Sequence, residues 1–382
     1  MFLAIHASVW KVDSVFIRMQ EDPYFDVEIL VCPYINSGIE AMHEEMERTY
    51  AFFMERGYPV RKSLKQEGTW TLLEELDPDI VFFTNPHNVT ISEYYELAYF
   101  SYLTCYVPYH HEVVSYDGDI DQYDQVFHNA IWRIFAPHKY SLETYENKSH
   151  RKGKNVHVAG YPMMELLFSD FGEVTAQDDA WKNCDERLRV IWAPHHTIDS
   201  AELPYSTFLK YAERIKDLAV QHQGSIVWSF KPHPVLKAKL YDHRQWGKER
   251  TDAFYNFWEG QEFTQLDIGE YVNLFKQSDA LVHDSGSFLA EYLYFRKPVL
   301  YLMSKKNNMS FFNEFGEKAL ASCRLADEFI DIESFVDGLL SRDAGGITEL
   351  HEEFIGKELL KYYQPLLPSE RVLLDIKKSL AA

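Results

Sequence analysis

The residues best equipped for chemistry are histidines that follow short apolar runs. Lys231-Pro232-His233-Pro234 comes directly after the apolar run 226–230. Its two prolines fix the backbone while a cation and an imidazole are presented together. Lysine supplies positive charge, and histidine can hydrogen-bond or protonate an oxygen, so the pair suits a departing phosphate. A rigid surface turn with an incidental histidine is the plainer alternative. His283-Asp284-Ser285-Gly286-Ser287 lies between a second apolar run and a segment of helical pattern. Gly286 admits close backbone approach, the free amides of a following helix attract an anion, and the hydroxyls of Ser285 and Ser287 add donors. An ordinary helix N-cap explains the serine equally well. Glu291, four residues beyond Ser287 on the same helix face, is placed either to reach a ribose hydroxyl or to stand in solvent.

Two consecutive histidine pairs complete the set. In Pro108-Tyr109-His110-His111-Glu112, His110 or His111 is the candidate general base, the other being structural, because a neutral imidazole accepts a hydroxyl proton near pH 7. Pro194-His195-His196-Thr197 repeats the arrangement, and His195 and His196 are expected to touch the same phosphate. Neighbouring residues in extended or turn backbone rarely point at one ion, so neither metal nor cofactor is expected and activity should be metal-independent. Asp117, Asp119 and Asp121 resemble a calcium loop in outline only: Gln122 occupies the glycine position and His128 that of the bidentate acid. They read as a solvated acidic turn, with Asp117 a reserve candidate for the base.

The elements that position these residues alternate in type. The first half opens βαβ, with a strand over 2–5, a helix over 13–20 and a strand over 27–32. A long helix follows over 39–56, a second helical pattern over 70–76, a strand over 80–84, a helix over 92–99 and a strand over 104–107 that delivers His110 at its carboxyl end. Strands over 130–136 and 156–159 close this half, separated by residues 141–148 and a basic, turn-rich stretch at 149–155. Residues 169–188 are acidic and irregular and read as a crossing between domains. The rhythm then restarts: strand 190–193, helix 205–222, strand 226–230, helix 268–277, strand 280–283, helix 287–295 and strand 299–302. This predicts an α/β protein with two Rossmann-like parallel-sheet domains. The expected divisions are an acceptor-side domain over 1–168, a linker over 169–188, a second domain over 189–350 and a helical segment over 351–382 that packs back on the first domain.

Composition supports two cores and narrows the partners. The chain has 382 residues, 46% of them apolar and 15% aromatic, more than one hydrophobic core usually organises. A formal charge of −21 excludes a general nucleic-acid or anionic-membrane surface. Cys32, Cys105, Cys184 and Cys323 are widely spaced with no CxxC or Cys/His rhythm, as expected of reduced thiols. The first ten residues carry no signal-like pattern, and no apolar stretch approaches a membrane span. The expected location is the cytoplasm, with at most peripheral association at the inner face of the membrane.

The second half resembles the CDP-glycerol glycerophosphotransferase family of teichoic-acid and capsule polymerases, which have a GT-B fold. The resemblance rests on Val190-Ile191-Trp192-Ala193-Pro194, on the strand leading into Lys231-Pro232-His233-Pro234, and on residues 279–287 with 289–302. Tyr109-His110-His111 stands where family members commonly show Trp-His-Gly. Val282 to Ser287 stands where they show Thr-Asp-Tyr-Ser-Ser. The His-Pro pair is also similar to that of bacterial sialyltransferases using CMP-linked sugars. These resemblances imply two domains facing across a cleft, with a cytidine-nucleotide donor and a polysaccharide or polyol-phosphate acceptor. Glycerol phosphate or a sugar would pass to a hydroxyl of a cell-surface polymer. His110 or His111 would activate the acceptor, His233 would assist the leaving phosphate, and His195, His196, Lys231, Asp284, Ser285, Gly286, Ser287 and Glu291 would hold the donor. Two alternatives stay open: a UDP-sugar glycosyltransferase or 2-epimerase of similar fold, which Asp-Ser-Gly-Ser before a helix also resembles, and a non-catalytic nucleotide-sugar-binding subunit.

Overall fold

The computed structural model describes residues 1–115, 120–168, 180–182, 186–200, 205–304, 311–341 and 346–381. Asp117, Asp119, Cys184 and most of the expected linker lie outside them. The chain divides into two compact units: Met1–Glu112, Asp117–Phe171 and Leu360–Ala382 form unit 1, and Val113–Tyr116 with Gly172–Leu359 form unit 2.

Among the described residues, unit 1 holds a seven-stranded sheet. Its strands are β1 (Phe2–Ala4), β2 (Ile29–Val31), β3 (Val60–Lys62), β4 (Ile80–Phe83), β5 (Leu103–Tyr106), β6 (Arg133–Ala136) and β7 (Val156–Val158), in the order β3-β2-β1-β4-β5-β6-β7. Every pairing is parallel. Strands β1, β2 and β4 are buried along their whole length, as a sheet covered by helices on both faces requires. Phe2 stacks on Phe82 across adjacent strands with ring centroids 4.2 Å apart. The helix Pro368–Leu380 closes one face, adding Val372, Leu373 and Ile376 to the core. Its start is fixed by Ser369, whose N and Oγ donate to the buried Glu165 carboxylate at 2.9 and 2.5 Å.

Unit 2 is built the same way, from β8 (Leu188–Ala193), β9 (Ile226–Phe230), β10 (Thr264–Leu266), β11 (Ala280–His283), β12 (Val299–Leu302) and β13 (Arg324–Ala326), in the order β10-β9-β8-β11-β12-β13. These pairings are parallel too. Its core is dominated by large rings: Trp192 lies 5.0 Å from Phe230 and 5.6 Å from Trp258. The helix Phe208–Gln221 buries Phe208, Tyr211, Ala212, Ile215, Leu218 and Ala219, the apolar stripe of a 3.6-residue period. Among the described residues, no helix is long and apolar enough to cross a membrane.

Several elements differ in extent from expectation. Residues 126–130 form a helix (Val126–Ala130), so the strand expected from 130 begins only at Arg133. The pattern at 70–76 yields only the turn Leu73–Leu76, and the helix expected from 268 starts at Val272. Residues 287–295 begin as the α-helix Gly286–Glu291 and tighten to a 3-10 turn, Tyr292–Phe295.

Residues 113–115 are seated on unit 2. Val114 bridges Phe312 in antiparallel fashion, Ser115 N donates to Phe311 O at 2.8 Å, and Asn313 N donates to Val113 O at 3.1 Å. Asn313 also caps the helix Glu314–Ala321, accepting from Gly316 N at 2.9 Å. Gly316 permits this arrangement, because a Cβ there would stand 2.1 Å from Val113 O. Gly316→Ala is therefore expected to destabilise the fold by about 1–3 kcal/mol, the usual cost of overpacking. Gly224→Ala, with nothing within 4 Å of its added Cβ, is the control. Urea denaturation of the two variants tests this, and matching midpoints would show that residues 113–115 have another place to go.

Candidate functional site

The strand order of unit 2 reverses between β8 and β11, which lie side by side although β9 and β10 come between them in sequence. In open parallel sheets ligands collect beyond the carboxyl ends of the strands at such a switch point. The loop after β8 carries His195 and His196, the exit of β11 carries Ser285 with Gly286 and Ser287 opening the helix that follows, and the loop after β9 carries His233.

Asp284 holds two of these exits in place. Its carboxylate is fully buried and accepts from His195 N at 2.5 Å through Oδ1, and from Thr207 N at 2.5 Å and Thr207 Oγ1 at 2.8 Å through Oδ2. Burial still pushes its carboxyl up to about 7. Asp284 therefore serves the loops rather than presenting a carboxylate to a donor.

Three imidazoles converge. Ring centroids are 4.3 Å apart for His195 and His196, 5.1 Å for His195 and His233, and 4.1 Å for His196 and His233. The expectation that consecutive histidines diverge does not hold, because His195 and His196 tilt their rings only 35° apart and the exit of β9 brings His233 against both. Burial lowers the basicity of all three: His195 well below its ordinary range, His196 to about 4 and His233 to about 3. Lys239 adds a smaller push in the same direction on each. They are neutral at pH 7. Val235 N donates to His233 Nδ1 at 3.3 Å, and in that tautomer Nε2 carries the proton and faces any ligand as a donor.

The other expected donor residues divide. Ser285 is the N-cap of Gly286–Glu291 by its backbone, but its hydroxyl makes no cap hydrogen bond, so the simple capping explanation fails. Gly286 has neither a left-handed backbone nor a tight neighbour, since its nearest contacts to an added Cβ lie at 3.7 Å. Ser287 is exposed. Lys231 is buried, its Nζ donating to Gly269 O at 2.8 Å. Glu291 is 1% exposed and accepts from Tyr271 Oη at 2.5 Å, so it points inward rather than toward a ribose. His283, also buried, accepts from Ser285 N at 3.3 Å and braces its own loop.

In unit 1 the pair after β5 separates by exposure. His110 is half-buried, is lowered to about 4 by burial and then by His87, and accepts from Glu112 N at 2.9 Å through Nδ1. His111 is 2% exposed, lies 4.3 Å from the Tyr161 ring, and is held well below its ordinary range by burial and by His138. Sequence reasoning missed two neighbours. His87 follows β4, adjacent to the switch point between β1 and β4, and its charge acts on His110. Glu112 is buried at a left-handed φ of 51°, a conformation a non-glycine residue holds only under constraint. A shared signal would have found His87, since a proline and a histidine follow β4, β5, β6, β8 and β9 alike at Pro86-His87, Pro108-Tyr109-His110, Pro137-His138, Pro194-His195 and Pro232-His233.

Residues 114–310, just over half of the chain, match the family model described as CDP-Glycerol:Poly(glycerophosphate) glycerophosphotransferase. No curated protein matches the chain. Among solved structures, UDP-GlcNAc 2-epimerase from Methanocaldococcus jannaschii, in complex with UDP-GlcNAc and UDP, is similar with a TM-score of 0.61 at 14% identity, covering 99% of this chain and 98% of that one. The Neisseria meningitidis enzyme bound to UDP-GlcNAc gives 0.59 at 14% identity, with 99% and 98% covered. A variant of the wall teichoic acid polymerase TagF gives 0.60 at 12% identity, with 100% and 89% covered. At these identities the likeness establishes the two-sheet, GT-B-like fold.

Burial pushes the Glu112 carboxyl up to about 8, opposed by a hydrogen bond from Ser141. An unfolded glutamate titrates near about 4.3. Between those values the folded chain keeps a proton that the unfolded chain has lost, so this residue makes stability fall as pH rises through the window. Glu112→Gln preserves shape without titrating. Its urea midpoint, measured from about pH 5 to 8, should decline less with pH than that of the parent, and parallel declines would contradict the assignment.

Proposed function

Because the chain belongs to the CDP-Glycerol:Poly(glycerophosphate) glycerophosphotransferase family, we propose that it is a transferase moving glycerol phosphate, or a sugar, from a cytidine-nucleotide donor to a hydroxyl of a cell-surface polymer. The observation that carries the reading is the gathering of His195, His196, His233 and the helix start at Ser285–Ser287 at the switch point of the second sheet. In this reaction the bond between the transferred group and the nucleotide phosphate breaks, the acceptor oxygen forms the new bond, and its proton passes to a base. Negative charge accumulates on the departing phosphate. His233, neutral and with its proton on Nε2, donates a hydrogen bond there, and the arriving anion raises its affinity for a further proton. Ser285, whose hydroxyl is free of capping duty, suits the same phosphate. Lys231 adds charge once its Nζ exchanges Gly269 O for the ligand.

The base is drawn from His110 and His111 in unit 1, with Asp117 in reserve. His110 is the more accessible, yet its Nδ1 takes up the Glu112 amide, which leaves Nε2 protonated and makes it a donor in this arrangement. Proton acceptance by His110 requires that amide contact to be exchanged. The proposed place of work is the cytoplasm, with at most peripheral association at the inner face of the membrane. A second reading is a UDP-sugar enzyme, favoured by the uridine-nucleotide complexes among the structural neighbours.

His233→Ala is expected to leave the melting curve nearly unchanged, since the ring stands at a strand exit, and to lower turnover by about 10²–10⁴-fold. Parental turnover in the folded variant would remove His233 from the mechanism. Calorimetric titration separates the two donors: CMP and CDP should bind more tightly than UMP and UDP, and the reverse order would establish the second reading.

A further inference from the structure

The three imidazoles after β8 and β9 have a property that phosphate recognition does not require. One ligand nitrogen from each of His195, His196 and His233 can be chosen so that all three lie within 4.8 Å of one another. A tetrahedral zinc site, with Zn–N bonds of about 2.0–2.1 Å, sets its nitrogens about 3.3 Å apart. Side-chain rotation closes the difference, because His196 and His233 are only partly buried. We propose that His195, His196 and His233 form a binding site for a divalent transition-metal ion of the zinc class, with an open position on the ligand side.

Three independent features point to this chemistry. Nδ1 of His196 is buried and has no hydrogen-bond partner, a cost that ligation or a ligand contact would remove. His195 Nδ1 lies 3.0 Å from Thr197 Oγ1, which also accepts from Ser206 N at 3.3 Å. A hydroxyl oxygen has two lone pairs, so Thr197 can accept the Nδ1 proton as well and leave Nε2 of His195 free to ligate, the outer-shell arrangement usual for metal-bound histidine. The donor set is all imidazole, because both oxygens of the neighbouring Asp284 are engaged by backbone and hydroxyl donors. Imidazole without carboxylate selects zinc, copper or nickel over magnesium or calcium. Ligation through His233 Nε2 gives up one contact, the 3.3 Å approach of Val235 N to Nδ1, which is long for a hydrogen bond.

These are the imidazoles that the proposed function turns toward the donor phosphate. The inference rests on that reading only for its consequence, that ion and donor compete and the ion acts as an inhibitor. The exposed Lys239, whose charge acts on all three rings, tells cation from anion binding. Titration of the full chain with cobalt(II) should give one equivalent with the intense visible absorption of a low-coordinate ion. His196→Ala and His233→Ala should each weaken binding at least tenfold, His43→Ala on an exposed helix face should not, and Lys239→Ala should tighten cobalt while weakening CDP. Loss of cobalt binding on adding CDP supports both the ion site and the donor placement, whereas cobalt binding indifferent to CDP upholds the ion site and counts against the donor placement alone. The absence of a low-coordinate spectrum, or a spectrum unchanged in folded His196→Ala, would overturn the proposal.

Discussion

The architecture of unit 2 around its histidines depends on one carboxylate that no solvent reaches. Asp284 stands immediately after β11 and receives the amide of His195 after β8, together with the amide and hydroxyl of Thr207 at the head of the helix Phe208–Gln221. Three chain segments that meet nowhere else in sequence are thus referenced to a single side chain. Removing the carboxylate would orphan two backbone N–H groups in the interior, each at a cost of about 1–3 kcal/mol. Strand pairing sets the height of β8 beside β11, with Ala193 in register with His283, but the direction in which the chain leaves the sheet follows from these bonds. The His195 ring is then packed edge-on against Tyr205, 5.4 Å away.

Desolvation, more than neighbouring charge, sets the protonation of the histidines that leave β5, β8 and β9. Burial is the leading cause of the lowered basicity of His110, His111, His195, His196 and His233. A chain of formal charge −21 offers carboxylates widely, yet little of that charge acts on these rings. Neutral imidazoles are versatile: each has one donor and one acceptor nitrogen, and the backbone chooses which faces outward. Glu112 N takes Nδ1 of His110 and Val235 N takes Nδ1 of His233, both within two residues of the ring. The local turns after Pro108 and Pro232 therefore assign the tautomers of His110 and His233.

The alternation of strands and helices was legible because strands covered on both faces read as continuous apolar runs, as in Phe2–Ala4, Ile29–Val31 and Val299–Leu302. The strands that escaped were β3 (VRK), β10 (TQL) and β13 (RLA), each at the edge of its sheet, where one flank has no partner and polar residues are tolerated. Two helix starts, at 205 and 268, were read early because the apolar pattern runs through the preceding turn, as at Tyr205 before Phe208. The site was legible as residue types and not as directions. Spacing put Glu291 on the same helix face as Ser287 but gave no sign that Tyr271 would meet it from inside. The approach of His196 to His233 depends on β8 and β9 pairing in a particular register, Trp192 opposite Phe230, which no local pattern encodes.

Unit 1 is finished by the last part of the chain, and this sets an order of events during synthesis. Leu360–Ala382 supplies Val372, Leu373 and Ile376 to a core whose strands were made far earlier. All of unit 2 leaves the ribosome before that helix does, so the second sheet can close while the first still lacks one wall. At about 5–20 residues per second, the interval between completing β7 and completing the helix is roughly ten to forty seconds. During it the apolar face made by Val12, Val15, Phe16 and Phe135 has no cover of its own, and Glu165, a carboxylate destined for the interior, still has water as its partner in place of Ser369. The nascent chain thus carries a mature C-terminal unit beside an open N-terminal one, the reverse of the order in which its residues were read.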